Sequence, residues 1–383
     1  MTIGRVQKPR TEKASPVSER RKHRRFRFNA AITIEDSDSS WGESFGDLSA
    51  HFSVYLCGHL HTLYGRAKKM HARHFGGMLE LEIPERAQYL RVLFNELTRI
   101  QSHLVWLGTH AMDIGALTVF LYCFREREQL LRIFEAVAGQ RMMTSYVRVG
   151  GLSLEPPRHL YDQIRAFLKD FPSKIEEYEG LLQGNPIWMN RLKGVGYLSP
   201  EDAIALGVTG PPLRASGVDF DVRRDMPYSG YEKFQFNVPV SKVGDVWARY
   251  IVRMQEFRES VKICLQALDG LPEGRIVADA PKIILPNREQ MKTQMESLIH
   301  HFKIVTEGFG VPAGEVCSSV EAPHGMMNYY VVSDGTAKPY RVHMRNPGFA
   351  TLQALETMCK GRLLADVVAV IGSIDIVLGE IDR

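Results

Sequence analysis

Three stretches hold side chains with acid, base or ligand character. In His110-Ala-Met-Asp113-Ile-Gly115-Ala-Leu a lone carboxylate interrupts an otherwise apolar run. A carboxylate is costly to bury unless it is paired or hydrogen-bonded, so its presence calls for a reason, and a cap or turn former beside Gly115 is the plainest one. Cys57-Gly-His59-Leu-His61 offers thiolate and imidazole, good ligands for zinc or nickel. No second cysteine pair completes that set, and the expected reading is a loop with surface histidines, His51, His71 and His74 included. The third stretch, Leu213 to Arg224, is dense in arginine and aspartate; it reads either as local surface ion pairs or as the lining of an interface.

Helices must position these groups. Ala87, Leu90, Leu93, Leu97, Ile100 and Leu104 recur every three or four residues after Pro84 and Glu85, which predicts a long helix leading into Asp113. Leu121, Phe124, Leu130, Leu131, Phe134 and Val137 write a second helix that stops at Gly139, so Asp113 falls at the corner of a helix pair. Tyr161 to Leu182 predicts one or two helices broken near Pro172, and Ser199-Pro-Glu-Asp202 opens a short capped helix closed by Leu206-Gly207. Further helices are expected over Asp245–Leu268, Asn287–Gly308 and Leu363–Gly372, a strand over Phe234–Val238, and a β hairpin from Tyr329–Gly335 to Tyr340–Arg345.

The whole chain narrows the function classes. With 383 residues it can bury a real core, and a formal charge of +4 with scattered basic residues gives little support for a nucleic-acid surface. Five cysteines that never form CxxC fit reduced thiols and supply no ligand set for zinc or an iron–sulfur cluster. No nucleotide-binding glycine loop and no GxSxG elbow occur. Leu363 to Ile381 is the nearest approach to a membrane span, and its Asp366, Asp375 and Glu380 favour a core segment.

Several blocks, in order, resemble the 49-kDa (D-type) subunit of respiratory complex I: PERAQYLRVLFNELTRIQSHL, DIGALTVFLYCFRERE, RASGVDFDVRRDMPYSGYE, MESLIHHFK, YYVVSDG, PYRVHMRNPGF and ADVVAVIGSIDIVLGEIDR. The resemblance covers residues 79–383. It implies an α+β, predominantly α fold like the large subunit of nickel–iron hydrogenases, with a helical core and a small β hairpin. Hydrogenases hold nickel with a C-terminal DPCxxC; Asp375-Ile-Val377-Leu-Gly-Glu380 puts Val377 and Glu380 at the cysteine positions, and valine cannot ligate a soft metal.

The resemblance further implies a peripheral-arm subunit of proton-translocating NADH:quinone oxidoreductase, on the cytoplasmic side of a bacterial inner membrane and attached through partner subunits. Its neighbours would be the iron–sulfur subunit carrying the terminal cluster and a 30-kDa-type subunit. FMN and the clusters would sit in other subunits, this chain would hold no cofactor or metal, and quinone would be the substrate. Asp113 matches an aspartate that hydrogen-bonds the family's quinone-site histidine, so it becomes the catalytic candidate, with Arg141, Met143, Arg148 and Arg383 as quinone-pocket or interface candidates. Residues 1–78 depart from the family: they contain neither the GPQHP-type loop nor the tyrosine-bearing segment and read as an atypical, poorly ordered N-terminal stretch. The second reading is therefore a structural assembly subunit, inactive because the quinone-site His and Tyr are gone.

Overall fold

The longest apolar stripe of the sequence becomes the longest helix. In the computed structural model, which describes residues 81–142, 144–377 and 381, helix α1 spans Glu85–Asp113. Ala87, Leu90, Leu93, Leu97, Ile100 and Leu104 are all buried, as their spacing predicts. The chain then turns through Ile114, Gly115 and Ala116 into α2 (Leu117–Ala138), which packs back along α1. Gly115 has φ 103°, a left-handed value open to glycine, and the Ala116 amide closes the corner on the Ala111 carbonyl at 2.7 Å. Gly139, at φ 72°, ends α2 where the sequence places the stop. Leu121 departs from the predicted apolar face and is exposed.

Two further long helices complete the core. Helix α3 (Arg158–Gln183) runs unbroken through Pro172. Its buried stripe, Leu160, Ile164, Phe167, Leu168, Phe171, Ile175, Tyr178 and Leu182, outweighs the roughly 3 kcal/mol that an interior proline costs, because each such side chain contributes about 1.5–3 kcal/mol. Short helices α4 (Pro186–Leu192), α5 (Pro200–Ala205), α6 (Pro211–Ala215) and α7 (Val222–Asp225) lead to α8 (Val246–Asp269), which lies against α1 and α3. Asp245 caps α8 by accepting from the Ala248 amide, and Ser199 caps α5 by accepting from the Asp202 amide.

The remaining elements correct three expectations. Residues 234–238 form no strand: the amides of Gln235 and Asn237 donate to the Gln266 and Glu259 side chains of α8 instead of to a strand partner. The helix expected over Asn287–Gly308 is two helices, α9 (Arg288–Thr293) and α10 (Met295–Thr306). The hairpin belongs to a larger sheet. Beside a two-stranded ribbon of β1 (Val147–Arg148) and β2 (Gly151–Leu152), there is a three-stranded antiparallel sheet of β3 (Gly314–Ala322), β4 (Gly325–Ser333) and β5 (Arg341–Arg345), in that order. Tyr329 and Tyr330 pair with Met344 and His343 as predicted, while β3, polar and irregular in sequence, pairs along its full length with β4. Helices α11 (Pro347–Gln353), α12 (Leu355–Cys359) and α13 (Leu364–Ile374) close the chain, with α13 against α1 and α8. The described part is thus predominantly α with small antiparallel sheets.

Candidate functional site

Asp113 ends α1 at the corner with α2. It is exposed, so the expectation of a buried carboxylate is not met. The residues around it in the chain are apolar: Met112 just before it and Leu117 and Leu121 on the first turns of α2 are all exposed. The other candidates are scattered. Arg141 is exposed and gripped by both carboxylate oxygens of Glu128, at 3.0 and 2.6 Å. The Arg148 side chain is exposed, and its carbonyl accepts from the buried Arg91. Met143, Arg383 and the histidine-rich stretch with Cys57, His59 and His61 lie outside the described residues. Among the described residues no cluster of His, Cys, Asp and Glu could hold a metal ion.

Behind the corner lies a group not foreseen from the sequence. The loop expected at a surface or an interface turns three of its five charges inward: Arg214, Asp221 and Arg223 are buried, while Arg224 stays outside, paired with Asp219 and Asp225. Arg214 places one nitrogen 2.5 Å from Glu256 Oε1 and the other 2.9 Å from Glu321 Oε1 and 3.5 Å from Asp221 Oδ2. Arg223 forks onto both Asp221 oxygens and reaches Glu96, which also accepts from Tyr231 and Ser260 at 2.7 Å each. Arg99 meets Glu96 and donates to the Glu321 and Ala322 carbonyls. Glu256 uses its second oxygen on His103 Nε2 at 2.7 Å.

The network continues to the end of α13. Arg253 donates to the Ser373 carbonyl at 2.7 Å and lies over the Trp106 ring, its Nε and Nη2 without protein partners. Asp375 sits beyond it in a left-handed conformation at φ 56°. His324 Nε2, in the turn between β3 and β4, is 3.1 Å from Asp375 Oδ2 and 3.4 Å from Ser102 Oγ. Four guanidiniums (Arg99, Arg214, Arg223, Arg253) thereby meet five carboxylates (Glu96, Asp221, Glu256, Glu321, Asp375).

Burial alone would push every one of these carboxyls up. For Glu256 the Arg214 guanidinium and the His103 hydrogen bond win and hold it well below the usual range. Arg223 and Arg214 do the same for Asp221. Glu321 goes the other way: burial and the neighbouring Asp221, which shares Arg214 with it, raise its pKa. A signal for this network stands in the sequence as polar and charged residues on apolar helix faces: Glu96, Arg99 and His103 on α1, and Arg249, Arg253, Glu256 and Ser260 on α8, all at helical spacing.

His110, one turn before Asp113, is sealed between Trp106 and Trp188 against Gly372. Neither ring nitrogen makes a hydrogen bond with a side chain, and burial, helped by Arg253, pulls its pKa down to about 3. The folded protein keeps this ring neutral where the unfolded chain would protonate it. Stability is therefore expected to fall as pH drops below about 6.5, with a slope of up to about 1.4 kcal/mol per pH unit from this residue. Denaturant melts of His110→Leu against the parent at about pH 6.5 and pH 5 check this: the variant should lose less stability on acidification, and parallel losses would contradict it.

Known proteins agree with the blocks seen in the sequence. The family described as respiratory-chain NADH dehydrogenase, 49 Kd subunit, matches residues 113–383. The second D-type NADH-quinone oxidoreductase subunit of Koribacter versatilis (strain Ellin345) is 71% identical over 306 residues, covering 80% of this chain and 76% of the relative. The first D-type subunit of Solibacter usitatus (strain Ellin6076) is 62% identical over 306 residues, 80% of this chain and 75% of the relative. The D-type subunit of Geotalea uraniireducens (strain Rf4) is 56% identical over the same length, 80% of this chain and 78% of the relative. By the family model over residues 113–383 and these relatives, the chain belongs to the 49-kDa subunit family of respiratory-chain NADH dehydrogenase.

Proposed function

We propose that the chain works as a subunit of NADH-quinone oxidoreductase, the complex for which its relatives are named, and forms one wall of the quinone-reduction site beside the terminal iron–sulfur cluster of a partner subunit. The observation that carries this reading is the corner at Asp113: an exposed carboxylate set among exposed apolar side chains. Such a surface suits an aromatic, apolar substrate whose reduction consumes protons. Reducing a quinone to a quinol takes two electrons and two protons. The electrons would come from the partner's cluster, FMN and the other clusters lying in further subunits. Asp113 would hold or relay a proton at the quinone oxygen. Arg141, Arg148, Met143 and Arg383 would serve as pocket or interface groups, and residues 79–383 would be the working domain.

Assembly with partners is supported by α10, whose Met295, Leu298, Phe302 and Val305 are all exposed. A helix of this length is marginal in water by itself, and an apolar face of this kind is the sort that a partner covers. The partners would be the cluster-bearing and 30-kDa-type subunits. No described helix is long and apolar enough to cross a membrane, so contact with the inner membrane, on its cytoplasmic face, would come through other subunits.

Asp113→Asn in the purified, assembled complex tests the reading. A positioned acid or base contributes about a hundredfold or more, so quinone reduction should fall by at least about tenfold with an altered pH profile while assembly is normal. Activity and pH profile equal to the parent would instead favour a structural subunit, inactive at the quinone step, the reading favoured by the missing GPQHP-type loop and tyrosine segment before Leu79.

A further inference from the structure

We propose that His324 and Asp375 form a proton-operated clasp that fastens the end of α13, and through it the wall beside Asp113, to the sheet. The importance of that wall rests on the proposed quinone site; the clasp itself does not. His324 stands in the two-residue turn between β3 and β4, and Asp375 directly follows α13, so two elements far apart in sequence meet at this contact of 3.1 Å. Asp375 is held in a left-handed conformation, unusual for a residue with a side chain, and therefore needs something to keep it there.

The clasp reaches the corner. Ser373 O and Oγ accept from Arg253 and Arg249, the Gly372 carbonyl accepts from Trp106 Nε1 at 2.8 Å, and Gly372 is so close to His110 that a Cβ there would lie 2.5 Å from the ring. His110 is less than one turn from Asp113 on α1. A shift of the last turn of α13 is thus passed directly to the end of α1.

The charges explain why a proton operates it. Five carboxylates, Asp375 the least buried of them, face four guanidiniums, so with all five ionised one negative charge of the network has no permanent cation. The charged and titratable groups around the contact are His103 and the neutral His110 from α1, Arg253 and Glu256 from α8, and Glu321 from β3. Arg249, one turn before Arg253, has Asp245 as its neighbouring carboxylate. His103 is fully buried and held by Glu256, whereas the His324 side chain is 17% exposed and can exchange its proton with solvent. Protonated His324 balances the network and pairs with Asp375. The contact is an ion pair, with Asp375 Oδ2 making no hydrogen bond, so a neutral ring leaves it without its attraction and the clasp loosens as rising pH takes the proton from His324.

Amide hydrogen exchange of residues 370–377 in the assembled complex, expressed as protection factors between about pH 5.5 and pH 8, reads the clasp without reference to quinone chemistry. The parent should lose about tenfold protection across this range. His324→Arg should stay protected throughout, and His324→Gln should show the weakened state at every pH. A parent profile as flat as that of His324→Arg, or a His324→Gln variant that keeps the parent's pH dependence, overturns the clasp. If the clasp holds while Asp113→Asn leaves quinone reduction unaltered, the quinone-site reading fails and the clasp stands.

Discussion

Arg214→Met should leave little folded protein. The substitution removes one guanidinium that three buried carboxylates share, Glu256, Glu321 and Asp221, and strands the Phe220 carbonyl as well. Removing one partner of a buried ion pair costs about 3–5 kcal/mol, because the charge left behind can neither be paired nor hydrated. That is a large share of the roughly 5–15 kcal/mol by which a folded protein exceeds its unfolded state. Arg224→Ala changes a charge of the same loop that already faces water, and should shift stability by less than about 0.5 kcal/mol. Adding Glu256→Gln to Arg214→Met removes one of the stranded charges, so the double variant should be more stable than the single. Soluble yield and thermal midpoint check the set; an Arg214→Met protein as stable as Arg224→Ala would show that the buried network contributes nothing.

Gly210→Ala should be the most damaging of the glycine substitutions at the sheet. Gly210 has φ 72°, and a Cβ on it would overlap Gly325 Cα; Gly325, at φ 140°, would in turn put a Cβ 2.7 Å from Thr209 Oγ1. The two glycines let the β3–β4 turn lie against the start of α6, where Thr209 Oγ1 accepts from the Met326 amide and Arg345 ties the Gly207 and Met326 carbonyls together. Alanine adds about 1–2 kcal/mol for the left-handed backbone and about 1–3 kcal/mol for overpacking against main chain that cannot step aside. Gly361→Ala is the comparison: its φ of 75° carries the first cost, yet nothing lies within 4 Å to add the second. Chemical denaturation should rank Gly210→Ala below Gly361→Ala by more than about 1 kcal/mol; equal losses would mean the close approach is not rigid.

Much of the helical frame was legible in the residues because helices are written locally. The stripe from Ala87 to Leu104, the stop at Gly139, the cap at Ser199 and the helix start at Asp245 each need only a few neighbouring residues, and each appears where its spacing puts it. The strand expected at Phe234–Val238 failed because two side chains of α8 captured its amides, contacts made across 31 and 22 residues. β3 escaped notice because its polar sequence becomes a strand only when β4 supplies the apolar partner. The charges of Arg214 to Arg224 looked alike in one dimension, and nothing in that loop distinguishes Arg223, buried against Glu96, from Arg224, open to water.

The order of residues along the chain was therefore enough for the periodic elements and, through the recurring blocks, for the family, since both are carried by near neighbours. It took the folded arrangement to show that Asp113 stands open at a corner and that nine charged groups from α1, α6, the start of α7, α8, β3 and the end of α13 meet inside. The cause is electrostatic: whether a charge costs or stabilises depends on which partner and how much water surround it, and both are set by segments hundreds of residues apart.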